Sequence, residues 1–238
     1  MQKALLGYIP DNKKISLMED TLDSHMKLIY PNKDLNSWST VKRGNNSSLP
    51  EIGFQELIKS GLRNNPDWLM VSEVRGSEAE ALLSAALTSH SIMTTLHASG
   101  AANIPARITD MVAQSGNATN HAALQRNIVS VLNLGMQLER IVDPNTGKSI
   151  RRIKEIYEYV DYDPDQGILG YPLYEIKEVY NPDTEMYTTT RNKYRMSDSL
   201  IQKITDAQEI AGVPAVFKEG EYKFMTMEDK KRKLSEGL

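Results

Sequence analysis

The 238 residues include no cysteine, which excludes disulfide bonds and cysteine-ligated zinc and fits a reducing compartment. The 28 lysines and arginines nearly balance 31 aspartates and glutamates, so the net charge of −3 gives no basic surface typical of nucleic-acid binding. No apolar stretch is long enough to span a membrane, and "MQKALLGYIPDNKK" is too short and too soon polar for a secretory signal. These absences predict a globular, cytoplasmic protein without a transmembrane segment and without direct nucleic-acid contacts.

The sequence also lacks a phosphate-binding loop of the form Gly-x-x-x-x-Gly-Lys-Ser/Thr. Its only Gly-Lys-Ser spans residues 147–149, and valine instead of glycine occupies position 142. The surrounding letters, "VDPNTGKSI", predict a turn between two strands, because Asp, Pro, Asn and Gly favour turn conformations. The tripeptide is therefore interpreted as part of a hairpin.

Short apolar strands alternate with helical patterns up to about residue 115, which predicts a parallel sheet in an α/β layer. Strands are predicted in "KKISLMEDT", "PDWLMVSEVRG" and "SIMTTLHASG", with one further extended piece in "SWSTVKR". For the helix in "SEAEALLSAALTSH", Ser77 is predicted as the N-cap, with Glu80 as its capping-box partner.

The C-terminal half has a different character. The segments "GMQLERIVDPNTGKSIRRIKEIYEYV" and "YPLYEIKEVYNPDTEMYTTTR" each predict a β-hairpin, and a helix is predicted from about Ser197 to Ala211. These patterns suggest an α/β core in residues 1–160 and an extension of hairpin and helix in residues 161–238.

Acids and a histidine follow the predicted parallel strands, whose carboxyl ends share one edge of a sheet. Glu19 and Asp20 follow the first strand, Glu73 the next and His97 the third. A carboxylate can orient an attacking water or hold Mg²⁺ through water, and an imidazole can bind a phosphate oxygen. Nearby arginines, Arg63 and Arg75, would neutralise developing charge.

Simpler interpretations exist for each of these residues. An acid at a strand end often only caps the following helix, and a lone histidine is more often an ordinary residue at the edge of the core. A metal cluster is an alternative for Glu19, Asp20, Asp23 and His25, but their spacing matches no established ligand pattern. His90 and His121 are interpreted as structural or exposed.

Taken together, three segments resemble the secretion ATPases of type II and type IV secretion, conjugation and type IV pilus machines. "ISLMEDTLD" is similar to the acidic box, "LRNNPDWLMVSEVRGSEA" to the Walker B region and "TSHSIMTTLHASGAANIPARITDMV" to the histidine box. The resemblance implies part of a RecA-like P-loop NTPase sheet with helices on both faces. The variant motifs resemble most the branch that serves type IV secretion and tight-adherence pili.

The resemblance also implies functional roles. Glu19 would be a catalytic acid, and Glu73 would be the Walker B acid that holds Mg²⁺ through water. Nucleotide would be bound by His97, Arg63, Arg75 and, by a loose match, Arg43. The cofactors would be ATP and Mg²⁺. The partners would be identical or intact subunits in a hexameric ring and the secretion or pilus machinery at the inner face of the cell membrane.

The sequence departs from the family pattern in two respects. Ser72 and Ser89 stand where glycine is usual, and "KALLGYIPDNKKISLMEDT" resembles the helix that follows the phosphate loop. We therefore expect that loop upstream of Met1. Three hypotheses follow: a portion of a motor ATPase, a catalytically inactive assembly or regulatory module that joins a ring of intact subunits, or a decayed gene.

Overall fold

The computed structural model describes residues 1–42, 50–116, 120–143, 145–207 and 218. Their contacts form two compact units. The first unit comprises Met1–Ala98 and Pro105–Val131, and the second comprises Ser99–Ile104 and the described part of Leu132–Leu238. Among the described residues, no helix has both the length and the apolar character needed to cross a membrane.

The first unit contains a four-stranded sheet in which all strands are parallel. Its strands are β1 (Ile15–Glu19), β2 (Leu35–Ser39), β3 (Trp68–Val71) and β4 (Ser91–Thr94), and their order across the sheet is β2-β1-β3-β4. The register pairs Ile15 with both Leu35 and Trp68, and Trp68 with Ser91. The predicted parallel sheet is confirmed, and all four strands end at the same edge.

Helices connect these strands. They are α1 (Gln2–Leu6), α2 (Met26–Ile29), α3 (Phe54–Leu62) and α4 (Glu78–Leu87), followed after β4 by α5 (Ile104–Ala113) and α6 (His121–Val131). A short 3₁₀ turn, Ala101–Asn103, precedes α5. The helix predicted in "SEAEALLSAALTSH" is α4, which ends at Leu87, three residues before the end of that segment.

Helices cover both faces of the parallel sheet because alternate residues of β1 point to opposite sides. On one face, Ile15 and Leu17 pack against residues of α1 and α2 in a buried apolar cluster. On the other face, α3 approaches so closely that a Cβ added at Gly61 would lie 2.2 Å from Met18 Cε. All five residues of β1 are buried, and the strand is therefore the centre of this unit.

The second unit is built on an antiparallel sheet. Its strands are β5 (Leu134–Val142), β6 (Ser149–Asp163), β7 (Gly167–Asn181) and β8 (Met186–Lys193), paired in sequence order. Both predicted hairpins are confirmed, and pairing of β6 with β7 joins them into one sheet. The suggested division at residue 160 falls within β6, so the assignment of residues 132–160 to the ATPase-like core stays a prediction.

Helix α7 (Asp198–Asp206) packs on the antiparallel sheet and begins as predicted after Ser197, whose side chain accepts a hydrogen bond from the Leu200 N–H. Leu200 and Met196 pack with Tyr171 and Leu173 of β7. At the helix start, the buried Glu158 accepts hydrogen bonds from Tyr171 Oη and from both the backbone and the hydroxyl of Ser197. A charged side chain thus fixes the helix to the sheet.

Candidate functional site

The carboxyl edge of the parallel sheet brings together Asp20, Glu73, Arg75 and His97. Asp20 directly follows β1, Glu73 and Arg75 follow β3, and His97 follows β4. Asp20 is close enough that its charge acts on both Glu73 and Arg75. The predicted convergence of side chains that are far apart in sequence is therefore present.

Glu73 lies at the centre of this group. Its Oε2 accepts a hydrogen bond from Arg75 Nη2 at 2.6 Å, and its Oε1 lies 3.2 Å from His97 Nε2. Oε1 is nevertheless buried without a hydrogen-bond partner, because the His97 contact lacks the alignment of a hydrogen bond. The hydrogen bond from Arg75, aided by its charge, lowers the pKa of Glu73, so the carboxyl is ionised at neutral pH.

The turn after β3 positions Arg75. Glu78 Oε1 accepts hydrogen bonds from the backbone N–H groups of Arg75 at 2.6 Å and Gly76 at 3.0 Å. Ser77 is the N-cap residue of α4, as predicted, but the predicted capping box with Glu80 is wrong because the Ser77 side chain makes no cap hydrogen bond. Glu78, the first residue of α4, instead accepts from the N–H groups that precede the helix.

Asp20 is held at the same edge by two residues that the sequence prediction missed. Its carboxylate accepts hydrogen bonds at 2.8 Å from Thr40 Oγ1 and from Lys42 Nζ, and these bonds, with that of Lys42 the stronger influence, lower the pKa of Asp20. Thr40 and Lys42 follow β2, which ends at the same edge. Applying the strand-end argument to "SWSTVKR" would have found them.

Glu19 faces inward and does not contact Glu73. It is only 3% exposed, and its Oε1 accepts a hydrogen bond from the Ser24 N–H at 3.3 Å across the loop after β1. This contact holds the loop that begins with Asp20. A catalytic role for Glu19 stays a prediction.

Arg63 is not brought to this edge. It follows the last residue of α3 and precedes β3, so it lies near the amino ends of the strands. The position is fixed by Lys14, the residue before β1, whose Nζ donates to the Asn64 carbonyl at 2.7 Å. Arg43, the loosely matched arginine, lies outside the described residues.

The two serines that replace the family's glycines behave differently. Ser89 has a φ of 69°, in the left-handed region that favours glycine, between α4 and β4. Ser72 lies in the turn between β3 and Glu73, where its carbonyl accepts a hydrogen bond from Thr95 Oγ1 at 2.5 Å. Of the two serines, only Ser89 therefore has a strained backbone conformation, which a glycine at position 89 would relieve.

Other candidate sites are accounted for by structure. Gly147 and Lys148 lie in the β5–β6 connection and Ser149 begins β6, so the tripeptide is part of a hairpin, as predicted; Gly147 has a φ of 68°. Across residues 1–42, 50–116, 120–143 and 145–207, no group of three or more His, Asp or Glu side chains is arranged to hold a metal ion. The alternative of a metal cluster around Asp23 and His25 is not formed.

Comparison with known proteins gives a consistent family. The sequence matches the family described as "Type II/IV secretion system protein" over residues 2–227. An uncharacterized protein of Bacillus anthracis is 31% identical over 66% of this chain and 34% of its own length. The type IV secretion system protein VirB11 of Bartonella quintana is 30% identical over 69% of this chain and 42% of its own length.

A solved structure shares the fold. The VirB11 ATPase of the Brucella suis type IV secretion system, solved in complex with sulphate, has a TM-score of 0.53 and 24% sequence identity, and the match covers 66% of this chain and 43% of that chain. The matched segments thus cover less than half the length of each of these three proteins. On the family match over residues 2–227, the chain belongs to the type II/IV secretion system protein family.

Proposed function

We propose that this chain is a subunit, or part of a subunit, of a motor ATPase that couples ATP hydrolysis to macromolecular transport in secretion, conjugation or pilus assembly. The main support is the unpartnered Oε1 of Glu73, a buried carboxylate oxygen beside a cation and an imidazole at the carboxyl edge of a parallel sheet. Ligands bind in this position in open α/β sheets.

The Glu73 carboxylate, with Arg75 and His97 beside it, fits a hydrated magnesium ion bound to ATP. Mg²⁺ keeps several of its waters in phosphate sites, and each such water needs an acceptor. Glu73 Oε1 is an ionised acceptor with no donor of its own. When bound, the ion would neutralise part of the phosphate charge.

The neighbouring side chains have complementary roles in this proposal. Arg75 and His97 would donate to phosphate oxygens, which they can reach because both are largely exposed. Glu19 is assigned as the second acid on its place in the acidic segment. Arg63, at the other edge of the sheet, keeps a nucleotide-binding role only toward a nucleotide held by a neighbouring subunit.

The proposed partners follow from the family. Identical or intact family subunits would complete a hexameric ring, and this ring would work at the inner face of the cell membrane with the secretion or pilus machinery.

The proposal is tested by NMR titration of the chain with Mg²⁺ and a non-hydrolysable ATP analogue, since NMR detects weak binding. We expect the His97 and Arg75 side-chain signals to shift at millimolar analogue only when Mg²⁺ is present. Glu73→Gln should reduce the shift strongly. Asp110→Asn, which removes an exposed carboxylate on α5, should leave it unchanged.

Two results would overturn the proposed site. One is the absence of any shift at millimolar analogue in the presence of Mg²⁺. The other is a shift that Glu73→Gln leaves intact. Either result would favour the alternative, a catalytically inactive assembly or regulatory module, which is also consistent with the lack of a phosphate-loop motif in these 238 residues.

A further inference from the structure

Thr95 forms hydrogen bonds with both peptide groups that flank Glu73. Its side-chain Oγ1 donates to the Ser72 carbonyl at 2.5 Å, and its backbone carbonyl accepts from the Val74 N–H at 2.9 Å. The Ser72 carbonyl belongs to the peptide group before Glu73, and the Val74 N–H belongs to the peptide group after it. Thr95 lies directly after β4, and all four residues belong to the first unit. One residue at a neighbouring strand end therefore holds the backbone on both sides of the acid.

These two hydrogen bonds restrict the backbone conformation of Glu73. Peptide groups are planar, so the φ and ψ angles of a residue set how its two flanking peptide groups are oriented. Because Thr95 binds both of these groups, a large change in either angle of Glu73 breaks a hydrogen bond. The chain just before this point is also held, since the Ser72 N–H donates to the Met18 carbonyl at 2.8 Å. The direction in which the Glu73 side chain leaves the backbone is thereby determined.

The same threonine restricts the backbone of His97. Only one residue lies between Thr95 and His97, so their Cα atoms are at most roughly 7 Å apart. The His97 side chain is 93% exposed, and its Nε2 lies 3.2 Å from Glu73 Oε1. Little packing surrounds such an exposed ring, so this contact depends mainly on where the two backbones lie. Thr95 is bonded to one of these backbones and is two residues from the other.

We propose that Thr95 is a positioning residue, which holds Glu73 so that its unpartnered Oε1 stays beside the His97 imidazole. The alternative is a purely structural hydroxyl, which only satisfies the Ser72 carbonyl just beyond the end of β3. The inference rests on the proposed function for the role of Glu73, but the positioning itself is a property of the nucleotide-free protein.

The test uses NMR on the nucleotide-free protein and the variant Thr95→Val, which removes the hydroxyl and keeps the branched shape and the backbone carbonyl. The three-bond coupling between the amide and α protons of Glu73 reports its φ angle. A nuclear Overhauser contact between the Glu73 side chain and the His97 ring reports their separation. We expect the variant to change the coupling, to weaken this contact and to speed amide hydrogen exchange at Val74 by about twofold to tenfold.

Two further variants separate positioning from stability. Thr95→Ser keeps the hydroxyl and should restore the wild-type coupling and contact. Thr88→Val is the matched control, because the Thr88 hydroxyl also donates to a backbone carbonyl of the first unit, that of Ala85 at 2.8 Å. Thr88 is the C-cap residue of α4 and precedes β4, away from the carboxyl edge. This control should lower stability without changing the Glu73 coupling or the exchange at Val74.

The inference is overturned if Thr95→Val lowers stability but leaves the Glu73 coupling and the contact with His97 unchanged, because the hydroxyl would then be structural only. Equal changes in Thr88→Val would also overturn it. Should Thr95→Val fail to fold, Thr95→Cys decides the outcome: its thiol is a weak donor, so an intermediate change is expected, and wild-type values would contradict the inference.

These readouts are independent of nucleotide binding. Failure of the ATP-analogue titration would remove the proposed role of Glu73 and leave the measured positioning in place. Failure of the positioning test would leave the titration and its Glu73→Gln comparison unaffected.

Discussion

Arg75 binds one oxygen of Glu73 and leaves the other without a hydrogen-bond donor. The bound oxygen, Oε2, lies 2.6 Å from Arg75 Nη2, whereas the buried Oε1 lies 3.2 Å from the poorly aligned His97 Nε2 and has no hydrogen-bond partner. The pair keeps the carboxyl ionised, and at the same time an acceptor position stays available. A carboxylate in this state is suited to bind a donor that arrives with a ligand, such as a metal-bound water.

Arg75→Gln should raise the pKa of Glu73 toward that of an ordinary glutamate. The cation that stabilises the ionised form is lost, and partial burial then favours the neutral form. Because the folded-state pKa of Glu73 is lowered in the wild type, the stabilisation is present above the unfolded-state pKa and lost as the pH falls through the folded-state value. A titration of the side-chain carboxyl ¹³C signals measures the change.

Asp67 provides an internal control in the same titration. It lies at the opposite edge of the sheet, where a hydrogen bond from the Lys14 N–H lowers its pKa. Asp67 should titrate alike in the wild type and in Arg75→Gln. An unchanged pKa for Glu73 would contradict the assigned role of the ion pair.

Ser89→Gly should increase stability by about 0.5–1 kcal/mol. The left-handed conformation costs a residue with a Cβ roughly 1–2 kcal/mol. Glycine removes this strain, but its greater conformational entropy in the unfolded state offsets part of the increase in stability. Urea denaturation measures the difference. Ser91→Gly, two residues on in β4, should instead reduce stability by about 0.5–1 kcal/mol; equal effects of the two changes would argue against strain at Ser89.

Glu158→Gln should reduce the stability of the second unit by about 1.5–3 kcal/mol. The Glu158 carboxylate accepts hydrogen bonds from Tyr171 and Ser197. A glutamine at this position lacks the negative charge, and its amide NH₂ group faces one of these donors instead of accepting a hydrogen bond from it. Chemical denaturation followed by circular dichroism measures the loss. Glu185→Gln, at an exposed turn position of the same sheet, should change stability by less than about 0.5 kcal/mol.

The purified chain alone should release phosphate from ATP no faster than the uncatalysed background. The backbone cradle and lysine of a phosphate loop supply much of the electrostatics of phosphoryl transfer, and the sequence contains no such motif. A phosphate-release assay with Mg²⁺ tests this expectation. Turnover that disappears in Glu73→Gln would show that the carboxyl-edge residues suffice without that motif.

Several features could be predicted because they depend on local pattern. The apolar run from Trp68 to Val71 and the turn signals around Asn145 and Gly147 specify a buried strand and a hairpin through residue type and spacing alone. The convergence of Asp20, Glu73 and His97 could also be predicted, since parallel strands must end at one edge. The capping of the turn before α4 was not predicted, because Glu78 and Glu80 both lie in the first turn of the helix and only the turn geometry selects Glu78.

The sequence by itself determined the family, the alternation of strands and helices, and the acids that follow the strands, because these depend on residue order and periodicity. Only the tertiary structure decided that Arg75, and not Arg63, reaches Glu73, since α3 carries Arg63 to the other edge of the sheet. It also decided that Glu155 and Tyr159 bind Ala101. Glu155 and Tyr159 are more than fifty residues from Ala101 in the sequence. Local sequence pattern carries no information about which distant segments the folded chain brings together.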